Sequence, residues 1–161
     1  MAGTIIYPGT FDPITHGHTD IAARAARIFD RVIIGVAASS AKNTAFSPDE
    51  RVDLARKVLA QHKNVTVTRY DGLLADFCRR EKATGVLRGL RAVSDFEYEF
   101  QLAGMNRKLM PEVDTFFLTP SEQYMFISSS LVREIAMLGG NVAEFVDPIV
   151  LQALHGRLRK Q

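Results

Sequence analysis

The feature that most constrains the fold is a nearly unbroken apolar run at residues 32–37, Val-Ile-Ile-Gly-Val-Ala. A strand with one face in water alternates apolar and polar side chains, whereas a strand covered on both faces is apolar throughout. Strands of the second kind belong to parallel sheets, whose neighbours are joined by crossover helices. The run therefore predicts a central parallel strand with helices on both faces of the sheet.

Strand and helix patterns alternate along the rest of the chain. Apolar or β-branched runs predict four further strands at residues 4–7, 65–70, 86–88 and 113–119. Helical spacing and capping residues predict helices at residues 18–29, 47–61, 73–82, 95–110, 131–138 and 149–158. With right-handed crossovers, we expect an α/β fold with a doubly wound five-stranded parallel sheet, Rossmann-like, in strand order 3-2-1-4-5. The length of 161 residues suits a single domain, residues 1–161.

Composition argues against several classes of protein. Twenty basic and eighteen acidic residues leave a net charge of +2, too balanced to indicate binding to nucleic acid or to an anionic membrane. The single cysteine, Cys78, excludes an intrachain disulfide and lies on an apolar helix face, where packing is the favoured role. No apolar run approaches the roughly 20 residues that span a bilayer. We therefore expect a cytoplasmic protein with no membrane or nucleic-acid partner.

Residues 7–18, Tyr-Pro-Gly-Thr-Phe-Asp-Pro-Ile-Thr-His-Gly-His, join the first strand to the first helix. A strand, a tight turn and a helix start form a phosphate-binding arrangement, because the first helical turn presents unpaired N–H groups and the positive end of the helix dipole. Gly9 and Gly17 lack a Cβ, which allows backbone to approach a ligand closely. Thr15 and His18 are three residues apart and can face one bound group. The alternatives are a capped helix start without a ligand, or a metal site using His16 and His18, for which no third ligand stands nearby.

Arg88 and Arg91 flank Gly89-Leu90 at the end of the fourth strand. Ligands of doubly wound sheets bind beyond the carboxyl ends of the strands at the point where strand order reverses, here between the first and fourth strands. The planar guanidinium group suits phosphate oxygens and stays charged when partly desolvated. The alternative is that the two arginines lie at the surface and form ion pairs with the carboxylates at positions 95, 97 and 99.

Two further segments could contribute to a phosphate site. The run Ile127-Ser128-Ser129-Ser130 precedes a predicted helix, and three serines offer more donors than one helix cap requires. Lys42 lies in the polar loop after the second strand, where it could act as a mobile countercharge beside two phosphates. The sequence contains no Gly-x-x-x-x-Gly-Lys-Ser/Thr, Gly-x-Gly-x-x-Gly or Gly-x-Ser-x-Gly, which argues against P-loop NTPases, dinucleotide dehydrogenases and α/β-hydrolases.

Four motifs together resemble those of the bacterial phosphopantetheine adenylyltransferases, in the nucleotidyltransferase superfamily. They are Tyr-Pro-Gly-Thr-Phe-Asp-Pro-x-Thr-x-Gly-His at 7–18, Arg-Gly-Leu-Arg at 88–91, Asp-Phe-Glu-Tyr-Glu at 95–99 and Ile-Ser-Ser-Ser at 127–130. The first and last motifs alone indicate only the superfamily, whereas the middle two narrow the resemblance to the family. It covers essentially the whole chain in length and motif order.

The resemblance implies adenylyl transfer from ATP to 4′-phosphopantetheine, giving dephospho-coenzyme A and pyrophosphate by in-line attack without a covalent intermediate. It also implies Mg²⁺ on the triphosphate, a homohexamer and feedback inhibition by coenzyme A. Catalytic roles are implied for His18, Thr15, Lys42 and Arg91. The implied ATP-binding residues are Thr10, Phe11, His18, Gly89, Leu90, Arg91, Glu99, Tyr124, Met125, Phe126, Ile127, Ser128, Ser129 and Ser130. Those implied for phosphopantetheine are Thr10, Lys42, Leu74, Arg88, Leu102 and Asn106.

Two other functions compete with this one. A related nucleotidyltransferase for another acceptor, such as nicotinamide mononucleotide or glycerol phosphate, would share the His and Ser motifs, but we would not expect Arg-Gly-Leu-Arg before Asp-Phe-Glu-Tyr-Glu in it. A non-catalytic nucleotide sensor could dispense with His18 or Lys42, and both are present.

Overall fold

The computed structural model of the chain describes residues 3–38 and 43–158. Its strands are β1 (Thr4–Gly9), β2 (Arg31–Ala37), β3 (Val65–Tyr70), β4 (Gly85–Gly89) and β5 (Asp114–Leu118). Its α-helices are α1 (His16–Ile28), α2 (Pro48–Val58), α3 (Leu74–Arg80), α4 (Val93–Leu109), α5 (Ser129–Met137) and α6 (Pro148–Leu158). A short 3₁₀ turn at Glu122–Tyr124, which the sequence patterns did not predict, lies between β5 and α5.

The five strands form one parallel sheet in the order β3-β2-β1-β4-β5, which confirms the predicted architecture and strand order. The apolar run at 32–37 lies in β2, between β1 and β3, and its residues are fully or almost fully buried. The order reverses between β1 and β4, whose carboxyl ends therefore leave a crevice in the sheet edge. Both predicted phosphate-binding segments begin there.

Two apolar clusters cover the two faces of the sheet. One packs α1, α2, α5 and α6 against alternate residues of the central strands, with Ile34 and Leu154 among its members. The other packs α3 and the residues after α4 against the opposite face, around Ile33 and Phe77. Cys78 lies fully buried in the second cluster, where burial raises the pKa of its thiol to about 11, as suits a packing role. None of the helices in the described part of the chain is long and apolar enough to cross a membrane.

Some element boundaries differ from the predicted ones for local reasons. Helix α1 begins at His16 instead of residue 18, because Thr15 is the extended residue that precedes it. Helix α5 begins at Ser129 instead of residue 131, because the Ser128 side chain accepts the N–H of Leu131 and so caps the helix earlier. Both changes bring a helix N-terminus nearer to the crevice.

Candidate active site

A cleft of about 330 Å³ lies over the carboxyl ends of β1 and β4. Segments far apart in the chain form its walls: the β1–α1 loop, the end of β4 with the start of α4, and the chain from residue 120 to the start of α5. The lining residues are Tyr7, Pro8, Gly9, Phe11, Thr15, Gly17, His18, Ile21, Arg88, Gly89, Arg91, Asp95, Glu99, Pro120, Tyr124, Ile127, Ser128, Ser129 and Ser130. The cleft therefore occupies the position that the strand order predicts for a ligand.

His18 is fixed by the helix start that it belongs to. The main-chain N–H of Thr15 donates to His18 Nδ1 at 3.0 Å, so the imidazole occupies the place that a Glu or Gln side chain takes in a capping box. A nitrogen that accepts a hydrogen bond carries no proton, and a neutral imidazole then carries its single proton on Nε2. His18 therefore keeps Nε2–H as the donor for a group bound in the cleft.

The surroundings of His18 keep it neutral. Burial and the nearby charge of Arg91 lower the pKa of His18 to about 4, well below its usual 6.5. The ring of Phe11 packs edge-on against the imidazole, with ring centroids 4.8 Å apart. At neutral pH this histidine is a fixed hydrogen-bond donor without a charge.

The two histidines of this segment have different surroundings. His16 lies beside the Tyr124 ring, at 5.8 Å between centroids, while His18 is turned to the helix start. Within residues 3–38 and 43–158, no three His, Cys, Asp or Glu side chains come together as a metal-binding group.

Arg88 is held by a carboxylate of α4. Its Nε and Nη2 donate to the two carboxylate oxygens of Glu99 at 2.7 and 2.8 Å, a bidentate pair on the cleft wall. These bonds raise the pKa of Arg88 even though burial opposes the shift. The alternative expectation, that these arginines form ion pairs with the acidic residues that follow them, is thus met for Arg88. Glu99, an expected ATP ligand, has both carboxylate oxygens occupied by this pair.

Arg91 joins the β4 exit to the Ser-rich segment. Its Nη1 donates to the carbonyl oxygen of Ile127 at 2.8 Å, and its Nε lies 3.6 Å from Asp95 Oδ2. Because this guanidinium also lines the cleft near His18, one side chain connects two walls of the site.

The N-terminus of α5 faces the cleft through its three serines. Ser128 caps the helix, and the Ser129 hydroxyl donates to the carbonyl oxygen of Pro13 at 2.8 Å, which joins α5 to the β1–α1 loop. The N–H groups of the first turn have no partner within the helix and carry the positive end of its dipole. This helix end can receive phosphate oxygens.

The chain between β5 and the 3₁₀ turn is held by a residue that sequence reasoning missed. Asp20 of α1 accepts hydrogen bonds from the main-chain N–H and the hydroxyl of Ser121, both at 2.9 Å, and pairs with Arg24 at 3.3 Å. Burial raises the pKa of Asp20, but the Ser121 hydrogen bonds and Arg24 outweigh it and lower the pKa overall. The sequence shows only an Asp and an Arg four apart on an outer helix face, since their partner is a hundred residues away.

Most of the expected site residues meet at the cleft. Those lining it are Phe11, Thr15, His18, Arg88, Gly89, Arg91, Glu99, Tyr124, Ile127, Ser128, Ser129 and Ser130. Those not among its lining residues are Thr10, Leu74, Leu90, Leu102, Asn106, Met125 and Phe126. Lys42 lies outside the described residues. Tyr7 and Asp95 also line the cleft without having been assigned a role, and burial raises the pKa of the Tyr7 hydroxyl, which stays protonated.

Gly9 has a packing role within the chain. A Cβ at Gly9 would lie 3.0 Å from Cε2 of Phe11, tighter than most Cβ contacts, so a side chain there would press on the ring that packs against His18. A Cβ at Gly17 would make only ordinary contacts, 3.5 Å from Thr15 Oγ1. Close approach of a ligand therefore stays a prediction for Gly17, while Gly9 has a packing reason.

Comparison with known proteins gives a consistent family. The sequence profile of the cytidylyltransferase-like family matches residues 6–135. The phosphopantetheine adenylyltransferase of Nitrosomonas eutropha is 63% identical over 150 residues, which are 93% of this chain and 92% of that protein. The phosphopantetheine adenylyltransferase of Hahella chejuensis is 63% identical over 151 residues, 94% of each chain.

Solved structures support the fold independently of close sequence similarity. A bifunctional NMN adenylyltransferase/ADP ribose pyrophosphatase from Francisella tularensis, complexed with AMP and manganese, superimposes with a TM-score of 0.74 at 15% identity, over 100% of this chain and 50% of that one. At that identity the likeness concerns the fold alone. The sequence relatives, the family profile and the cleft at the sheet crevice together show that the chain belongs to the phosphopantetheine adenylyltransferase family, within the cytidylyltransferase-like nucleotidyltransferases.

Proposed function

We propose that this enzyme transfers the adenylyl group of ATP to 4′-phosphopantetheine, giving dephospho-coenzyme A and pyrophosphate for coenzyme A synthesis. A phosphate oxygen of the acceptor attacks the α-phosphorus of ATP, the bond from that phosphorus to the bridging oxygen breaks, and pyrophosphate leaves in line with the attack. The observation that carries the proposal is the fixed Nε2–H of His18 in a cleft with two guanidinium groups. Orientation and charge stabilisation suffice for such a step without a covalent intermediate.

His18 is the proposed transition-state stabiliser. Its Nε2–H donates to an α-phosphate oxygen as negative charge grows there, while the α1 N-terminus adds its dipole. Thr15 acts through the hydrogen bond that sets the imidazole. Arg91, whose guanidinium donates to the Ile127 carbonyl oxygen, adds a permanent positive charge near the imidazole.

The remaining residues divide between the two substrates in this proposal. ATP is bound by the residues at the β4 exit and by the segment 124–130, with the first turn of α5 toward its β- and γ-phosphates. The acceptor phosphate is bound by Arg88 with Thr10 and Lys42. Leu74, Leu102 and Asn106 contact the pantetheine arm in this proposal, and Asn106 is 7% exposed in the substrate-free chain.

Mg²⁺ enters this proposal as part of the nucleotide substrate. The two carboxylates of the cleft wall, Asp95 and Glu99, lie against Arg91 and Arg88 and do not converge on a common point with a third acid in the described chain. Triphosphate oxygens and water are the ligands that Mg²⁺ commonly keeps in such enzymes. We therefore expect the MgATP complex to bind as a unit.

We also propose self-association to a homohexamer. Helix α4 and strand β5 expose several large apolar side chains, among them Tyr98, Phe100 and Phe116, at 62%, 66% and 42% exposure. Large exposed apolar patches commonly mark interfaces. Light scattering should give six chains of 17.9 kDa per particle, and Phe100→Asp should lower that number. Feedback inhibition by coenzyme A and a cytoplasmic location stay predictions, the first testable by competition between coenzyme A and phosphopantetheine.

The decisive test is pyrophosphate release from MgATP with a panel of acceptors: 4′-phosphopantetheine, nicotinamide mononucleotide and glycerol phosphate. We expect release with phosphopantetheine alone, accompanied by dephospho-coenzyme A. Release with another acceptor would identify a related nucleotidyltransferase, and ATP binding without release would identify a sensor. His18→Ala controls for a contaminating activity, because it should remove the release that the chain itself catalyses.

A further inference from the structure

Two acidic side chains line the cleft, and they are paired to different extents. Glu99 has both carboxylate oxygens occupied by Arg88. Asp95 uses only Oδ2, which accepts the main-chain N–H of Arg91 at 3.3 Å and lies 3.6 Å from Nε of the same residue. Within the described part of the chain no group donates to Asp95 Oδ1, and the side chain is 34% exposed. Asp95 therefore keeps one acceptor oxygen for a bound molecule.

The guanidinium of Arg91 does not satisfy this carboxylate. Its Nη1 donates to the carbonyl oxygen of Ile127 at 2.8 Å, and the 3.6 Å between its Nε and Asp95 Oδ2 exceeds normal hydrogen-bond distance. A partly exposed ion pair of this kind contributes little to stability. Asp95 also lies in the first turn of α4, where a negative charge suits the helix dipole. That second role needs no ligand, so a test has to separate the two.

A carboxylate oxygen in this cleft restricts which groups can lie against it. Carboxylates accept hydrogen bonds and donate none, and they repel other anions. The phosphate groups of either substrate are therefore unsuitable partners for Asp95 Oδ1. ATP offers uncharged donors at two places, the 2′- and 3′-hydroxyls of its ribose and the amino group of its adenine.

The position of Asp95 favours the ribose over the adenine. Asp95 lies beside Arg91, whose charge acts on His18, the proposed donor to the α-phosphate. The ribose is bonded directly to the α-phosphate, whereas the adenine lies on the far side of the ribose. An acidic side chain is also the usual partner of a ribose hydroxyl in dinucleotide-binding folds of the doubly wound type. A ribose hydroxyl is therefore the donor that best fits this position.

We propose that Asp95 determines specificity for the sugar of the nucleotide: its Oδ1 accepts a hydrogen bond from a ribose hydroxyl of ATP. The inference rests on the proposed function, since ATP as the substrate belongs to it. In this arrangement Arg91 contacts phosphate and Asp95 contacts the sugar, so that the two members of one ion pair bind adjacent parts of the same nucleotide. The chain then distinguishes ATP from its deoxy analogues.

The test measures nucleotide binding by calorimetric titration of the full-length enzyme without acceptor. The ligands are the magnesium complexes of ATP, 2′-deoxyATP, 3′-deoxyATP and inosine triphosphate, which lacks the adenine amino group. Asp95→Ala removes the acceptor, and Asp95→Asn keeps an acceptor oxygen without the charge. Glu97→Ala is the matched control, because Glu97 is an exposed acid of the same helix that is not among the lining residues of the cleft. Thermal melting is measured for each variant.

We expect the wild-type enzyme to bind one of the two deoxy analogues about tenfold or more weakly than ATP, as the loss of a hydrogen bond to a charged group implies. Asp95→Ala should bind ATP and that analogue with affinities within about threefold of each other, because the bond is absent in both complexes. Asp95→Asn should keep a smaller difference, and it carries the test if Asp95→Ala does not fold. Glu97→Ala should keep the wild-type difference.

The inference is overturned if the wild-type enzyme binds both deoxy analogues as tightly as ATP, or if Asp95→Ala keeps the wild-type difference. It is also overturned if Asp95→Ala weakens all four ligands equally, which would indicate a role in the helix or on the metal, or if only the difference between ATP and inosine triphosphate disappears, which would assign the adenine amino group. Loss of the difference in Glu97→Ala would contradict it as well. Failure of the proposed function is a separate result: the wild-type enzyme would release no pyrophosphate with phosphopantetheine, while the titrations without acceptor would still decide the role of Asp95.

Discussion

The β4 exit and the helix N-termini that line the cleft handle charge in opposite ways. At the β4 exit, Arg88 and Arg91 carry full charges and are paired with Glu99 and Asp95. At the N-termini of α1 and α5 the donors are uncharged. They are the Nε2–H of the neutral His18 and the N–H groups of the first helical turns. The proposed reaction brings two anionic substrates together and then passes through a charged transition state. The charged β4 exit suits the first task, and the neutral, fixed donors suit the second.

The difference has a physical basis in what each group costs when the cleft holds no substrate. Paired guanidinium groups are compensated locally and remain charged at any ordinary pH. If His18 were protonated, its positive charge would lie near that of Arg91, and burial also disfavours its protonation. Keeping His18 neutral therefore preserves a donor that is ready without reorganisation.

The largest expected effect comes from removing the neutral donor, His18. His18→Ala should lower kcat by about a thousandfold, as loss of a preorganised donor to a developing oxyanion does, with ATP affinity changed little. Two closer variants separate the two nitrogens. The side chain of His18→Gln can place an N–H near Nε2 and should retain more activity than His18→Asn, whose oxygen can replace only Nδ1 as the acceptor for Thr15. Stopped-flow rates and ATP titration check this; weakened ATP binding at unchanged kcat would contradict the assignment.

Removing the charge of Arg88 should weaken phosphopantetheine binding and also lower the stability of the fold. Arg88→Ala should raise the KM for phosphopantetheine by roughly ten- to a hundredfold through loss of a bond to a charged group. It should also destabilise the fold by about 3 kcal/mol, because Glu99 is left as a buried carboxylate without its partner. Urea denaturation of Arg88→Ala, Glu99→Gln and the double variant measures the coupling. Additive losses of stability would show that the pair is not coupled.

The pH dependence should follow from the lowered pKa of His18. Above pH 6.5 the imidazole is neutral in both folded and unfolded chains. As pH falls from 6.5 to about 4, only the unfolded chain takes up the proton, so stability contributed by this group is lost across that window and no further below it. NMR should show the imidazole of His18 in the substrate-free protein not titrating between pH 6 and 8. A midpoint near 6.5 would refute the neutral-donor role.

The smallest expected effect concerns the segment before the 3₁₀ turn. Ser121→Ala removes one of the two hydrogen bonds to Asp20 and leaves the main-chain bond. The KM for ATP should rise about two- to fivefold, less than the roughly tenfold expected for a lost hydrogen bond from a charged group to the substrate itself, because the effect is indirect; the KM for phosphopantetheine should stay unchanged. Thr66→Ala, an exposed change on strand β3, is the control. An equal change in both KM values would argue against a role confined to the nucleotide side.

The predicted fold proved correct in sheet order and in the type of every predicted strand and helix, because buried strands and amphipathic helices each leave a period in the sequence. The errors are at ends. Helices α1 and α5 start two residues earlier than predicted, since their caps Thr15 and Ser128 depend on backbone geometry that the period does not report. The turn at Glu122–Tyr124 has too few residues to show any period.

The candidate site, too, was only partly predictable from the sequence. Motifs placed His18, Arg88, Arg91 and the serines, and the strand order placed their meeting point. The sequence could not indicate that Glu99 engages Arg88 with both oxygens, or that Asp20 holds Ser121, because each contact depends on where a helix packs on the sheet.

By itself, then, the sequence determined which segments become strands and helices, in what order the strands lie, and which residues have the chemistry for phosphates. Only the tertiary structure decided which nitrogen of His18 keeps its proton, which carboxylate pairs with Arg88, and that a buried arginine of α2, Arg51, donates to the carbonyl oxygens of Thr10, Ala37 and Phe46. Local patterns report the burial of each residue and the period of its element. Hydrogen bonds between distant segments arise only when crossovers bring those segments together, and they leave no period along the chain.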